Sequence, residues 1–375
     1  MIVHAAVPSH TGTVSHVAVG ARSTAPHEIR SDCSRVRPDR QHAQSATLSY
    51  NGLAQAAAVR VRQSLRLSDT ASLWAQGRSL RFGGDRMSGG RRVLRIGLCQ
   101  VMVGGDKTAN LQAARIAADA AARQGATLIV LPECFNCPYS NEAFPAFAEP
   151  VPDAGAGGDQ AASASLAALA AIAKRTGAYI VGGSMPERNG DEKLYNTCVV
   201  VSPDGNVIAK HRKVHLFNVD IPGKITFRES DTLSPGHSLT SFSMADGTRV
   251  GIGICYDIRF SEFCAATTGL GCDLLVFPGA FNMTTGPAHW ELLQRARAVD
   301  NQVFVATVSP ARSPDPQDYQ AWGHSSVCDP WGTVIATTGH DPDVVIADLD
   351  LDLVGRVRNQ IPIRKQKRPD VYKVQ

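Results

Sequence analysis

From residue 93 onward the chain alternates short apolar runs with longer stretches whose apolar positions recur every three or four residues. The first pattern predicts strands and the second amphipathic helices. Residues 93–101 read as a strand. Residues 109–123 place apolar side chains at 111, 114, 116, 117 and 121, one helical face, and Gly125 stands where a helix-ending glycine belongs. A buried-strand run follows from Ala126 and stops at Pro132. Residues 145–162, rich in Pro, Ala and Gly, predict a loop, 163–175 a helix and 178–183 an extended segment. Residues 194–201 and 206–210 flank Pro203-Asp-Gly205 as a hairpin. Residues 250–255 form a strand, 258–270 a helix closed by Gly271, and 272–278 another strand. Pro287 marks a helix start leading into 289–301, before a strand over 303–309 and a second hairpin over 327–335. Strands alternating with helices, plus hairpins, predict a layered α/β domain over 93–375 built on mixed sheets. The pattern does not give the number of sheets, and it shows no repeat and no coiled coil.

Composition narrows the class. A chain of 375 residues that is 43% hydrophobic with 33 glycines can bury a large core. Its longest apolar runs stop far short of the ~20 residues a membrane helix needs, so no membrane span is expected. Nine scattered cysteines, an odd number, do not make a disulfide framework and argue for a reducing compartment. Charge is divided unevenly. Residues 1–92 hold thirteen arginines, no lysine and five acids, a net of +8; with +4 for the whole chain, residues 93–375 carry −4. No basic face for nucleic acid is implied. The Arg-, Ser- and Ala-rich leader over 1–92 fits a mitochondrial or plastid transit peptide. The alternatives are a leader without an address or an internal start at Met87, and the protein would then be cytoplasmic.

Three strand ends carry candidate chemistry. Val250-Gly-Ile-Gly-Ile-Cys-Tyr-Asp257 runs a strand through two glycines into Cys255, with a helix starting beneath it, the presentation used for nucleophiles in α/β hydrolases. The helix N-terminus would favour thiolate. An ordinary buried cysteine reads this segment equally well. Ala126-Thr-Leu-Ile-Val-Leu-Pro-Glu133 delivers Glu133 from an apolar run to a carboxyl edge, where ligand sites of open α/β sheets lie and where a raised pKa suits a general base. Taken alone it reads as a solvated loop residue. Lys213 closes the basic run after Asn206, and by itself it reads as a surface charge. Cys134 and Cys137 have CxxC spacing without a second pair, and His211 and His215 stand four apart across a strand end. Neither pattern suits a metal or redox centre, no phosphate-binding glycine loop is present, and no cofactor is called for.

Leu131-Pro-Glu-Cys-Phe135, His211-Arg-Lys-Val-His-Leu216 and Gly253-Ile-Cys-Tyr-Asp-Ile-Arg-Phe260, in that order, resemble the Glu-Lys-Cys motifs of the nitrilase (carbon–nitrogen hydrolase) superfamily. The resemblance covers residues 93–375. Ile221-Pro-Gly-Lys-Ile-Thr-Phe-Arg-Glu-Ser230 and Pro278-Gly-Ala-Phe-Asn-Met-Thr-Thr-Gly-Pro-Ala-His-Trp-Glu291 look like its omega-amidase branch. The resemblance implies a four-layer α-β-β-α sandwich that dimerises by sheet extension. It also implies deamidation of alpha-ketoglutaramate and alpha-ketosuccinamate through a cysteine thioester. Glu133 would be the general base, Lys213 the cation that stabilises thiolate and oxyanion, Cys255 the nucleophile and Glu229 a supporting glutamate. A substrate with a distal carboxylate asks for a cation, for which Arg259 and Lys224 are candidates, and Thr285 and Tyr139 could add hydroxyl contacts. A deaminated-glutathione amidase or a carbamoyl-amine hydrolase would keep the triad and change the pocket; the flanking segments argue against a nitrile hydrolase, and the intact triad against a catalytically silent scaffold.

Overall fold

The computed structural model describes residues 91–155, 162–190 and 193–372. Of the expected leader, only Arg91 and Arg92 fall among them. Two mixed sheets lie at the centre. The first has seven strands in the order β15-β1-β2-β3-β5-β4, with β6 also paired to β5. These are β1 (Val93–Gln100), β2 (Leu128–Val130), β3 (Tyr179–Val181), β4 (Met185–Arg188), β5 (Leu194–Val201), β6 (Val207–Arg212) and β15 (Asp343–Asp350). The second has six, in the order β14-β13-β12-β11-β10-β9: β9 (Thr240–Ser243), β10 (Arg249–Ile252), β11 (Leu274–Pro278), β12 (Phe304–Val308), β13 (Ser326–Cys328) and β14 (Val334–Thr337). A separate hairpin pairs β7 (Asn218–Ile221) with β8 (Ile225–Arg228).

Side-chain alternation explains the layering. Leu128 and Val130 of β2 join one core with Val250, Ile252 and Val276 of the second sheet. Ile129 and Leu131 point the opposite way, into a core shared with Ala114, Ala118, Leu166 and Leu169. Those four belong to helices α1 (Lys107–Arg123) and α3 (Ala164–Thr176). A strand buried on both faces reads as a continuous apolar run, as 128–131 does. On the far side, α4 (Ser261–Gly269) and α5 (Gly286–Asn301) cover the second sheet through Phe263, Cys264, Trp290 and Ala298. The order is helix, sheet, sheet, helix, the four-layer sandwich.

Most expected elements form within a few residues of their predicted bounds. Asp106 caps α1 through Thr108 N and Ala109 N, Ser163 caps α3, and Pro287 opens α5. Three expectations change. The segment 145–162 is not all loop, because the short helix α2 (Ala143–Phe147) enters it. The helix expected over 258–270 breaks at Phe260, which is extended (φ −92°, ψ 103°) between a 3-10 turn at Cys255–Arg259 and α4. Phe260 stacks on His215, in the loop beyond β6, at 3.6 Å, a contact that a continuous helix would have to break. Finally, β4, β7, β8, β9, β15 and α6 (Asp352–Gln360) were not expected. Of these, β15 pairs with β1 along its whole length across some 250 residues of chain, a partnership with no local mark.

Candidate active site

Glu133 follows β2 by three residues and is fully buried. Its turn is held by a neighbouring one: Ser184 N donates to Pro132 O, while Cys134 N and Phe135 N donate to Ser184 Oγ and O. Gly183, at φ +61°, lies so near this backbone that an added Cβ would collide with Pro132 O. The carboxylate is pre-set as tightly as the backbone. Oε1 accepts from Asn196 Nδ2 at 2.9 Å and from Lys213 Nζ at 2.8 Å, while Oε2 has no hydrogen-bond partner. Burial pushes this carboxyl up, Lys213 pulls it back and Glu229 pushes it up again, with a raised value as the net result.

Lys213 extends β6 by one residue, its N–H donating to Asn196 O at 2.8 Å, and it is fully buried. Nζ bridges Glu133 Oε1 and Glu229 Oε1, each at 2.8 Å. Burial pulls the ammonium down, but the two carboxylates outweigh it and hold it charged well above its ordinary range. Glu229 begins a 3-10 turn after β8. It also accepts from Phe217 N at 2.7 Å and from the Tyr139 hydroxyl at 2.9 Å, so the Tyr139 oxygen is already engaged.

Cys255 sits on a strained elbow. Its φ is +46°, in the left-handed region that non-glycine residues avoid. Gly253 precedes it where any Cβ would strike Phe277, and Gly279 packs against its Cα. The sulfur accepts a hydrogen bond from Ala280 N at 3.5 Å. The thiolate expected from a helix N-terminus is not what the site favours. Burial first, then the Glu133 charge, raise the Cys255 thiol far above its usual value, and Lys213 and Ala280 N–H only partly oppose them. The resting sulfur is a thiol, with Glu133 close enough to raise it further. No hydrogen bond joins the two in this geometry, although the thiol is near enough to act on Glu133.

Two cavities reach the cluster. One, about 490 Å³ and open to solvent, touches Glu133, Tyr139 and Tyr319. The other, about 200 Å³, joins Cys255 to Arg259, Phe281 and Thr285. Arg259 makes no ion pair among the described residues; its guanidinium lies 4.8 Å over Phe281 and 3.2 Å from His289 Nδ1, and its Nε is buried without a partner. Thr285 is the N-cap residue of α5 at the wall of the same cavity. Lys224 is elsewhere: it is exposed in the turn between β7 and β8 and lines neither cavity.

Sequence reasoning missed Asn196, Asp257 and Tyr319. Asn196 stands in an eight-residue strand with every position buried, and a lone amide in an apolar strand was the available signal. Tyr319 packs on Tyr139 with ring centroids 4.9 Å apart and hydrogen-bonds Ala280 O from a polar loop that gave no signal.

The family model for carbon-nitrogen hydrolases matches residues 95–359. The chain is 52% identical over 281 residues to omega-amidase NIT2 of Xenopus tropicalis, covering 75% of this chain and 97% of that protein. It is 54% identical over 280 residues to omega-amidase NIT2 of Danio rerio, covering 75% and 96%. Among solved structures, Saccharomyces cerevisiae Nit3, a member of branch 10 of the nitrilase superfamily, superposes with a TM-score of 0.66. That match has 38% identity and covers 74% of this chain and 97% of the yeast protein. Fold, site and relatives agree: the chain belongs to the carbon–nitrogen hydrolase family, in its omega-amidase branch, and is an amide-hydrolysing enzyme.

Proposed function

We propose that the protein hydrolyses the terminal amide of short dicarboxylic monoamides, alpha-ketoglutaramate and alpha-ketosuccinamate, to the 2-oxo acid and ammonia. Oε2, the free oxygen of Glu133, takes the Cys255 proton as sulfur attacks the amide carbonyl. Lys213, kept charged by Glu133 and Glu229, stabilises the oxyanion. Glu133 hands the proton to departing ammonia, leaving a thioester. It then deprotonates a water that hydrolyses the thioester, and the thiol is restored. Glu229 keeps the ammonium aimed, and Tyr139 supports Glu229 rather than touching substrate.

The observation that carries the substrate class is Arg259. A half-buried guanidinium without a carboxylate partner, in the same cavity as Cys255, is a receptor for the distal carboxylate of a short acyl chain. Thr285 lies at the cavity wall for the same group. The test is ammonia release by the full chain from a panel of amides. Alpha-ketoglutaramate and alpha-ketosuccinamate should be turned over far better than neutral aliphatic amides, and better than the bulkier deaminated glutathione. Equal rates across the panel would remove the carboxylate receptor from the reading. The homodimer expected from the resemblance belongs to the proposal too, and sedimentation reads it. So does an organellar address in residues 1–92, which a fluorescent fusion reads.

A further inference from the structure

The two histidines that no metal explains have a different occupation. Asp257 is fully buried two residues after the nucleophile, and each of its oxygens is used. Oδ2 accepts from Ile254 N at 2.9 Å and contacts His211 Nε2 at 3.3 Å. Oδ1 accepts from His215 N at 2.9 Å and pairs with His215 Nδ1 at 2.8 Å. In the chain, Ile254 and Asp257 bracket Cys255, and His211 and His215 bracket Lys213. One carboxylate thus grips both neighbourhoods.

The grip crosses the sandwich. Lys213 is delivered by β6 of the first sheet and Cys255 by β10 of the second, so no single sheet sets their separation. A second tie lies beside it, where Thr240 of β9 contacts His211 Nδ1 at 3.0 Å. Burial alone would push the Asp257 carboxyl up, yet the hydrogen bonds from His211 and His215 hold it far below the usual range, so it stays anionic. His215 is the accessible end of the cluster, with a side chain 26% exposed and stacked on Phe260.

We propose that Asp257, acting with His215, is a positioning residue that sets the placement of the Cys255 sulfur relative to Lys213 and Glu133. The inference rests on the assignment of Cys255 as nucleophile. Misplacing reacting groups by about 1 Å can cost on the order of 100-fold in rate without touching substrate affinity.

The experiment uses the full chain and measures kcat, KM and the rate of Cys255 alkylation by iodoacetamide. Asp257→Asn should lower kcat by about 10- to 100-fold, with KM within about threefold, and alkylation should slow with it. His215→Phe keeps the stacking and removes the donor; it should lose at least about tenfold in kcat. His215→Asn restores a donor at the position of Nδ1 and should recover most of that loss. The inference is overturned if Asp257→Asn keeps its kcat, if its loss falls on KM, or if the two His215 variants are equally impaired or equally active. Should Asp257→Asn not fold, the His215 pair decides alone. Cys255→Ala separates the two levels of argument. A fully active Cys255→Ala removes the nucleophile itself, whereas an inactive one beside a wild-type-like Asp257→Asn removes only the positioning role.

Discussion

Lys213 Nζ lies 2.8 Å from Glu133 Oε1, although 80 residues separate them in the chain. The link between them is Asn196 of β5, whose side-chain amide donates to the same Glu133 oxygen while its backbone carbonyl accepts the Lys213 backbone N–H. A buried lysine costs desolvation that only good partners offset, and here two carboxylates supply the offset. The ammonium is therefore held between fixed partners in the absence of substrate.

Cys255→Ala is expected to abolish amide hydrolysis while far-UV circular dichroism stays unchanged. Cys255 should also be alkylated by iodoacetamide faster than the other seven described cysteines, all of them buried. Burial raises the thiol of Cys99 to about 12 and offers it no neighbouring base, whereas Cys255 faces Glu133 and lines a cavity. Mass spectrometry of tryptic peptides reads the rates. Uniform labelling, or near-wild-type turnover in the alanine variant, removes the nucleophile assignment.

Lys213→Ala and Glu133→Gln should each lose at least ~100-fold in turnover, the scale of an oxyanion donor or an acid–base group. The double variant should fall well short of the product, because the two act in one step. Removing one partner of a buried ion cluster also costs on the order of 3–5 kcal/mol of stability. Rates are therefore compared per folded molecule, with thermal melts alongside. Multiplicative losses would mean that the residues serve separate steps.

Arg259→Met should cost on the order of 2–5 kcal/mol in kcat/KM for alpha-ketoglutaramate, the scale of a charge left unpaired in a closed site. A neutral amide of the same length should lose much less. Lys224→Met, at an exposed hairpin turn, should leave both substrates near wild type. Parallel losses on both substrates in Arg259→Met would point to general pocket damage.

Glu229→Gln offers a test of sign. The negative charge of Glu229 is one of the groups that raise the Glu133 carboxyl. Removing it must lower that carboxyl, so the acid limb of kcat/KM, which reports the free enzyme, should move to lower pH. The maximal rate should fall at the same time, because Lys213 loses one of its two anchors. A limb that stays fixed or moves upward would separate Glu133 from the proton transfer.

The helices α1, α3 and α5, the strands β1, β2, β11 and β12 and the two hairpins were legible because each follows from local chemistry. Alternating or 3.6-residue apolar spacing, capping residues at Asp106 and Ser163, and glycines beyond helix ends act within a few residues. Glu133 and Cys255 stand at the ends of apolar runs, a contrast visible in the chain itself, whereas Lys213 closes a basic run and joined them as a candidate through the order of the three motifs. Glu229 and Arg259 became candidates only through the motifs around them, since an acid and a cation in polar stretches look like surface.

What the chain alone determined is which side chains the sheets deliver to their ends. What tertiary structure decided is how those side chains meet. The seven-stranded sheet brings Glu133 beside Lys213, the second sheet brings Cys255, and Asp257 bridges the two through groups that bracket each partner. The same packing reversed the expected ionisation of Cys255, because burial beside Glu133 outweighs the positive potential that local sequence suggested. It separated the two candidate cations as well, leaving Lys224 in solvent and Arg259 in the cavity that Cys255 lines. Desolvation and Coulomb energy depend on distances between residues far apart in the chain, and those distances exist only once the sheets have packed.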